Sequence, residues 1–475
     1  MAQEKTETQT VVLGAGPGGY AAAFLAADLG QSVVLIDRLE NPGGVCLYWG
    51  CIPSKALLHA VRTMDDAERA AQWGISFGKP SIDIDKMREF KDGVIKRMTG
   101  GTGQLVKQRK ITYIQGEAKF TDSHTLEVHT ASGETQTVAF KNAIIAAGAR
   151  SATLPFLKDM DPSRVLYAKS ALDLESVPKS MLVIGGGFIG LELGSVYAKL
   201  GAKVSVVEML PGIMAGADKD LVSEFEKANK NLFEEIKTET KVESVKEQKN
   251  GYKVTVNDGN ESTDKTYEKL LVTVGNTPNT DVIGLENTKV ETDDRGFIKV
   301  DKQRRTTEEH IFAIGDIAGG QLLAHKASHE GRVAAEVIAG HKRFYEPATI
   351  PSVVYTDPEI AWCGYTEAQA KEQGIEYEVA SFPWAASGRA VAMGESVGKT
   401  KMLIDPKTER VLGVGIVGRD AGELISEGVL AVEMAALASD VSLSVHPHPT
   451  LSETLMEAAE SFYGTSTHIY RPKKK

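Results

Sequence analysis

A glycine pattern that occurs twice, in the same surroundings, narrows the fold more than anything else in the chain. In the first copy the apolar run Thr10-Val11-Val12-Leu13 is followed by GAGPGG and by an alanine-rich stretch, Tyr20 to Leu29, that reads as a helix. A second apolar run, Ser32-Val33-Val34-Leu35-Ile36, then ends at Asp37. The later copy runs from Met181-Leu182-Val183-Ile184 through GGGFIG and a helix reaching Leu200 to Lys203-Val204-Ser205-Val206-Val207, and ends at Glu208. Strand, tight turn, helix, strand and acid is the order that a parallel α/β unit needs to hold a dinucleotide. Gly14 and Gly185 permit the turn, Gly16 and Gly187 let the backbone approach a pyrophosphate, and Gly19 and Gly190 let the helix pack close to the strand. Each acid stands 18 residues after the third glycine, placed to accept from a ribose hydroxyl. Two copies imply two dinucleotides. Glu208 would repel a 2′-phosphate, so the second site favours NAD over NADP.

Between the copies lies GGVCLYWGCIPSKALL, with Cys46 and Cys51 five positions apart in a chain of only three cysteines. The run from Lys55 reads as a helix, so both sulfurs stand near a helix start, where the dipole favours thiolate. Zinc would need two further ligands at comparable spacing, and Cys363 has no cysteine or histidine beside it. A redox-active pair is the better reading, and in a reducing compartment three cysteines cannot form a disulfide scaffold.

At 475 residues the chain needs about three domains. A net charge of −10 argues against nucleic acid and anionic membranes. The start, MAQEKTETQT, has no apolar signal core, no run approaches a membrane span, and a cytoplasmic location is expected. The basic tail Arg471 to Lys475 reads as a solvated terminus. Helical spacing follows Ile82 and gives way to the strand Ile111 to Ile114, and polar alternation from Thr121 to Val138 suggests antiparallel hairpins. Asn142 to Gly148 reads as a buried strand closing on small residues, and a first boundary is placed there. Strands alternate with turns from Tyr252 to Val274. In HIFAIGDIAGG, Asp316 sits at a strand end, where its position alone suggests a cap for the next helix. After Pro347 the pattern predicts a separate antiparallel sheet, with strands at Ser352 to Trp362, Val379 to Phe382 and Lys401 to Ile404, and helices at Thr366 to Glu372 and Glu423 to Leu437. Near the end, in SVHPHPTLSE, His448 precedes Glu453 by five residues, the pairing that builds a general base of fixed tautomer. His446 is expected to have no such partner.

With GAGPGGY, GGVCxxxGCIPSKALL, GGGFIGLE, FAIGD and HPHPTLSE in hand, the chain resembles the dihydrolipoamide dehydrogenase family of flavoprotein disulfide reductases over essentially its whole length. The resemblance implies an α/β architecture of two Rossmann-like dinucleotide-binding domains, a central domain and a C-terminal α+β dimerisation domain. These would span 1–150 (FAD, with the redox disulfide), 151–277 (NAD), 278–346 (completing the FAD site) and 347–475 (the interface of a homodimer). The implied reaction oxidises a dihydrolipoyl group, carried by an acyltransferase or by the lipoyl protein of glycine cleavage, and reduces NAD. Cys46 then looks like the thiol that meets substrate and Cys51 the thiol against the flavin. Lys55 and Glu192 resemble the ion pair beside the flavin, and Asp316 becomes a flavin contact instead of a helix cap. His448 would take the substrate proton and Glu453 orient its ring. Gly116 and Ala324 join Gly14, Gly16, Gly19 and Asp37 as expected FAD contacts, and Gly275 joins the second fingerprint as an NAD contact. Two departures stand out: Tyr48 and Trp49 replace smaller residues between the cysteines, and Asn276 stands where the family often has arginine. A glutathione-type reductase should carry basic residues near Glu208, and a mercuric reductase a C-terminal cysteine pair that is lacking here. A non-catalytic flavoprotein subunit that docks onto a complex is the reading from another class.

Overall fold

The computed structural model of the protein describes residues 4–470, so the basic tail lies outside the described residues. Four strands of the first sheet run parallel to its opening strand or to one another: Glu4–Leu13 lies between Val33–Asp37 and Thr135–Ile145, and Thr112–Asp122 flanks the former. A short strand, Thr125–Thr130, pairs antiparallel with both Thr112–Asp122 and Thr135–Ile145, which makes the expected hairpins an extension of this sheet. The far edge is completed by Ile311–Ala313, which arrives from much later in the chain and pairs parallel with Thr135–Ile145. Across one face the fingerprint helix Pro17–Asp28 meets the helix Ala324–Ile338, and a methyl group at Gly331 would come within 2.5 Å of the Gly18 carbonyl oxygen. Glycine is what lets these two backbones touch.

The second sheet is all parallel, in the order Glu235–Lys237, Lys203–Val207, Ser180–Ile184, Lys269–Val272, Val165–Leu166. Apart from the partly buried edge strand Glu235–Lys237, its strands are buried on both faces, as continuous Val, Ile and Leu runs require. Within Tyr252 to Val274 the last strand belongs to this parallel sheet, while the strands at 251–257 and 262–267 form an antiparallel sheet with Lys241–Gln248. The third large sheet is antiparallel throughout, in the order Ser352–Val354, Glu359–Gly364, Val411–Gly418, Lys399–Ile404, Glu378–Pro383. Helices Ala421–Glu433 and Glu453–Tyr463 cover it, packing Ile425, Leu455 and Ala458 onto its apolar face. Thr366 caps the helix Glu367–Glu372 reciprocally with Gln369.

The two longest helices between the fingerprints are Cys51–Arg69 and the 25-residue Ile84–Gln108, whose N-cap Asp83 accepts from the Lys86 amide. Leu57 and Val61 of the former enter a core shared with the second sheet and with Val354, Ile360 and Trp362 of the third. The helix that carries Cys51 is therefore packed against both later units. Among the described residues no helix is long and apolar enough to cross a membrane.

Candidate active site

Cys46 is the third residue of a short helix, Gly44–Trp49, and Cys51 the first residue of the next. Gly50 joins them, and there a methyl group would lie 2.9 Å from the Val45 carbonyl oxygen, so only glycine lets the two helices fold back this tightly. At Gly44 a methyl group would meet the Gly16 Cα at 2.5 Å, which sets the cysteine loop directly against the first fingerprint turn. The Cys46 thiol donates to Cys51, which pushes its own pKa far up, and burial adds to the effect. Cys51 is held down at about 7, chiefly by that hydrogen bond and then, against the cost of burial, by the Lys55 ammonium one turn along its helix. Of the two sulfurs, Cys51 is thus the one that ionises. Cys51 is an exposed residue and Cys46 a half-buried one.

Lys55 is placed by two contacts. Its Nζ lies 2.7 Å from Oε2 of Glu192, whose side chain is 6% exposed, and 4.4 Å from the centre of the Tyr355 ring. The other Glu192 oxygen accepts from the Tyr355 amide at 3.0 Å. Glu192 belongs to the helix of the second fingerprint, Phe188–Lys199, and Tyr355 directly follows a strand of the third sheet. One ion pair therefore joins the cysteine helix to both later units. Tyr355 was not legible in the sequence, because nothing in its spacing points to a residue 300 positions earlier.

The two fingerprints have the geometry that dinucleotides need. Gly14 and Gly185 take positive φ, +98° and +107°. A methyl group at Gly19 would reach 1.9 Å from the Gly14 carbonyl oxygen, and one at Gly190 2.3 Å from that of Gly185, so both helices are pressed onto their turns. At the middle glycine the space is open: nothing lies within 4 Å at Gly187, and only the Gly44 Cα does at Gly16. That is the cradle a phosphate would fill. Asp37 accepts the amides of Ala15 and Leu39, and Glu208 those of Gly186 and Leu210, so each acid ties its strand end to the glycine turn and keeps lone pairs for a ribose. Burial raises the Asp37 carboxyl against these amides.

Asp316 lies in a tight turn, Gly315–Ala318, well before the helix that starts at Ala324, whose N-cap is Leu323. It is therefore no cap. Its half-buried carboxyl, pushed up by burial, takes no protein hydrogen bond among the described residues and suits a ligand hydroxyl. Ala324 opens its helix beside that turn. Gly116 is a strand residue whose missing side chain is explained by the His129 carbonyl oxygen, 2.6 Å from where a Cβ would stand. Gly275 and Asn276 line a cavity of about 570 Å³ together with Arg295, Lys299, Arg304 and the Gly319-Gly320 turn. Three cations from another segment thus line the cavity beside Asn276. Trp49 lies under the Lys169 ammonium, 4.2 Å from its ring centre, and the Tyr48 hydroxyl donates to the Asn41 carbonyl.

His448 Nδ1 is 2.9 Å from Glu453 Oε1, and the second Glu453 oxygen accepts from the Thr450 amide at 2.7 Å. Burial pushes the Glu453 carboxyl up, but the Thr450 amide and the His448 ring more than offset it, and the net shift is downward. The His448 side chain is 70% exposed, and among the described residues no hydrogen bond, ion pair or ring contact joins it to a cysteine of its own chain. His446 departs from expectation: its Nε2 lies 2.8 Å from Oε1 of Glu427. The partner sits 19 residues earlier, on a helix, where local spacing could not reveal it.

Residues 8–331 match the family model described as pyridine nucleotide-disulphide oxidoreductase, and residues 350–459 match its dimerisation domain. Among curated proteins the chain is 49% identical to a dihydrolipoyl dehydrogenase of Haemophilus influenzae, over 99% of this chain and 98% of that one. It is 48% identical to one from Vibrio cholerae, over 99% of both. Among solved structures it is similar to LpdA from Mycobacterium tuberculosis, at 25% identity and a TM-score of 0.88, covering 96% of this chain and 99% of that one. The HOCl-induced flavoprotein disulfide reductase RclA from Escherichia coli matches at 27% identity and a TM-score of 0.83, covering 94% and 98%.

Proposed function

The chain belongs to the pyridine nucleotide-disulphide oxidoreductases, and we propose that it acts within them as a dihydrolipoyl dehydrogenase, oxidising protein-bound dihydrolipoamide with reduction of NAD. Its cofactors are FAD, at the first fingerprint with Asp37, Asp316 and Ala324, and NAD, at the second with Glu208 and Gly275. When bound, FAD supplies a two-electron acceptor and NAD carries the hydride away. The observation that carries this reading is the Cys46–Cys51 pair, pressed against the first fingerprint and tied to the second through Lys55 and Glu192.

In the oxidised protein the two cysteines form the disulfide. His448 takes the proton from one substrate thiol, Glu453 holding the ring so that Nε2 faces outward. The resulting thiolate attacks the Cys46 sulfur and breaks the Cys46–Cys51 bond, leaving a mixed disulfide and a Cys51 thiolate. Lys55, one turn along the helix, compensates the charge that appears on the departing Cys51 sulfur. The second substrate thiol attacks the substrate sulfur of the mixed disulfide, closing the lipoyl disulfide and expelling Cys46, which takes up that thiol's proton while His448 keeps the first. Two electrons then rest on the cysteine pair, with the charge on Cys51.

The dimerisation match supports a homodimer. His448 faces out of its own protomer, so we place it at the partner's disulfide. Residues 1–150, 151–277, 278–346 and 347–475 are taken as the FAD, NAD, central and interface domains of a cytoplasmic enzyme. Its substrate carrier is the lipoyl domain of an acyltransferase or of the glycine-cleavage protein. Reduction of NAD by dihydrolipoamide, measured beside NADPH oxidation by glutathione disulfide, tests the reading. The first should be fast and the second absent. Cys46→Ser should abolish the first while flavin stays bound, and turnover in that variant would remove the disulfide from the mechanism.

A further inference from the structure

The general base rides on a loop that the structure anchors twice, and the second anchor has no part in the chemistry. Between the helices Ala438–Leu443 and Glu453–Tyr463 the chain projects outward: the Leu443 side chain is 80% exposed and Val445 98%. His448 stands on this projection, so its aim depends on what fixes the loop. On the C-terminal side Glu453 holds His448 and the Thr450 amide, and the Thr450 hydroxyl donates to the Pro447 carbonyl.

On the N-terminal side the fixing group is His446, whose side chain, only 7% exposed, folds inward. One ring nitrogen, Nδ1, lies 2.7 Å from the Ser444 carbonyl oxygen and the other, Nε2, 2.8 Å from Oε1 of Glu427. The ring is thus held at both of its nitrogens, once by its own loop and once by a neighbouring helix. Glu427 lies on the helix Ala421–Glu433, which is immobilised on the third sheet: Ile425 is buried, and Gly428 is so close to Val414 that a methyl group would come within 2.9 Å. Alternation along an extended chain turns residues two apart to the same side, but the prolines at 447 and 449 break that regularity, and His446 faces in while His448 faces out. Resting on the assignment of His448 as the base, we propose that the His446–Glu427 pair is a positioning device that sets the reach and angle of His448 toward the partner subunit's disulfide.

The test uses the intact flavin-loaded dimer. His446→Ala and Glu427→Ala should each lower kcat/KM for dihydrolipoamide by about 10- to 100-fold, the effect of misplacing a reacting group by about an ångström. NADH oxidation by ferricyanide, which needs neither the base nor the thiols, should be unchanged. Glu427→Gln keeps an acceptor oxygen and should restore most of the activity. The double alanine variant should lose no more than either single one, because the pair acts as a unit. Undiminished dihydrolipoamide turnover in the single variants would overturn the proposal, as would an equal loss of both activities with loss of flavin or of the dimer, or Glu427→Gln being as damaging as alanine. His448→Ala, run alongside, separates the two claims. If it turns over dihydrolipoamide freely, the role of His448 fails and the proposal with it, whereas a loss there with none in His446→Ala rejects the positioning pair alone.

Discussion

Replacing Lys55 with methionine changes the charge on Cys51 from two directions at once. The ammonium attracts the thiolate directly, and it also masks Glu192, whose carboxylate pushes the same thiol up. With Cys51 at about 7, half of it is thiolate at neutral pH, whereas a thiol at the usual 9.0 would be about 1% ionised, so complete loss of stabilisation costs about 50-fold in thiolate. The Cys46 hydrogen bond, the largest contribution, survives the substitution. We therefore expect the midpoint to rise by about one pH unit, about 1.4 kcal/mol, and the thiolate at neutral pH to fall several-fold. The sign follows from a depressed acid: thiolate is present above the midpoint and disappears as pH falls through it, so in the variant the loss begins at a higher pH. Titrating thiolate ultraviolet absorbance in a Cys46→Ser background isolates Cys51, since burial holds Cys363 at about 12 and the introduced hydroxyl still donates. Lys55→Met with Glu192→Gln removes the unmasked anion as well and should bring the midpoint part of the way back. A midpoint that stays at the wild-type pH in Lys55→Met, or a double variant higher than the single one, would refute this electrostatic account.

Glu208→Ala should raise the NADP to NAD ratio of kcat/KM by about 10-fold or more, the worth of one hydrogen bond to a charged group, and lower the absolute rate because the Gly186 and Leu210 amides lose their acceptor. An unmoved ratio would mean that the second fingerprint is misassigned. Trp49→Val removes the ring beneath Lys169 and should cost about 0.5–1 kcal/mol of unfolding stability in urea melts, together with the part of the tryptophan emission that responds to reduction of the cysteine pair. Refolding Cys46→Ser subunits with His448→Ala subunits should recover about a quarter of wild-type activity if the site is shared, since half the dimers are mixed and each of those has one intact site. Tagged mixed dimers with bound flavin and no recovered activity would place His448 at its own subunit's disulfide.

Both nucleotide turns were legible because their constraint is local: a positive φ and a blocked Cβ leave only glycine at Gly14 and Gly185, and the following acids sit at fixed distance. The cysteine pair and the His448–Glu453 pair were legible for the same reason, each lying within five residues of sequence. What escaped notice was made by distant segments. Glu427 meets His446 from another helix, Tyr355 meets Lys55 from another sheet, and the cavity beside Asn276 draws its cations from residues 295–304. Val411–Gly418 was missed although it is the middle strand of the third sheet, because VLGVGIVG gives the period of a strand with glycines where side chains are expected. Those glycines are forced from outside. A Cβ at Gly413 would stand 2.1 Å from the Tyr365 carbonyl oxygen, and one at Gly418 2.4 Å from the Trp384 ring.

The late arrival of Ile311–Ala313 at the edge of the first sheet bears on how the chain is made. When Thr135–Ile145 leaves the ribosome, one side of it pairs with Glu4–Leu13 and the start of the other with Thr125–Thr130, but the end of that second side, Ala143 to Ile145, waits for its partner strand until roughly 165 further residues have been added. At ordinary translation speeds that interval is about 8 to 33 s, long compared with the folding of most single domains. During it the nascent protein exposes a short apolar edge, Ala143 to Ile145, open to pairing with another chain, and the helix Ala324–Ile338, which will cover the first fingerprint helix, does not yet exist. A fragment ending before residue 311 would keep that edge open indefinitely.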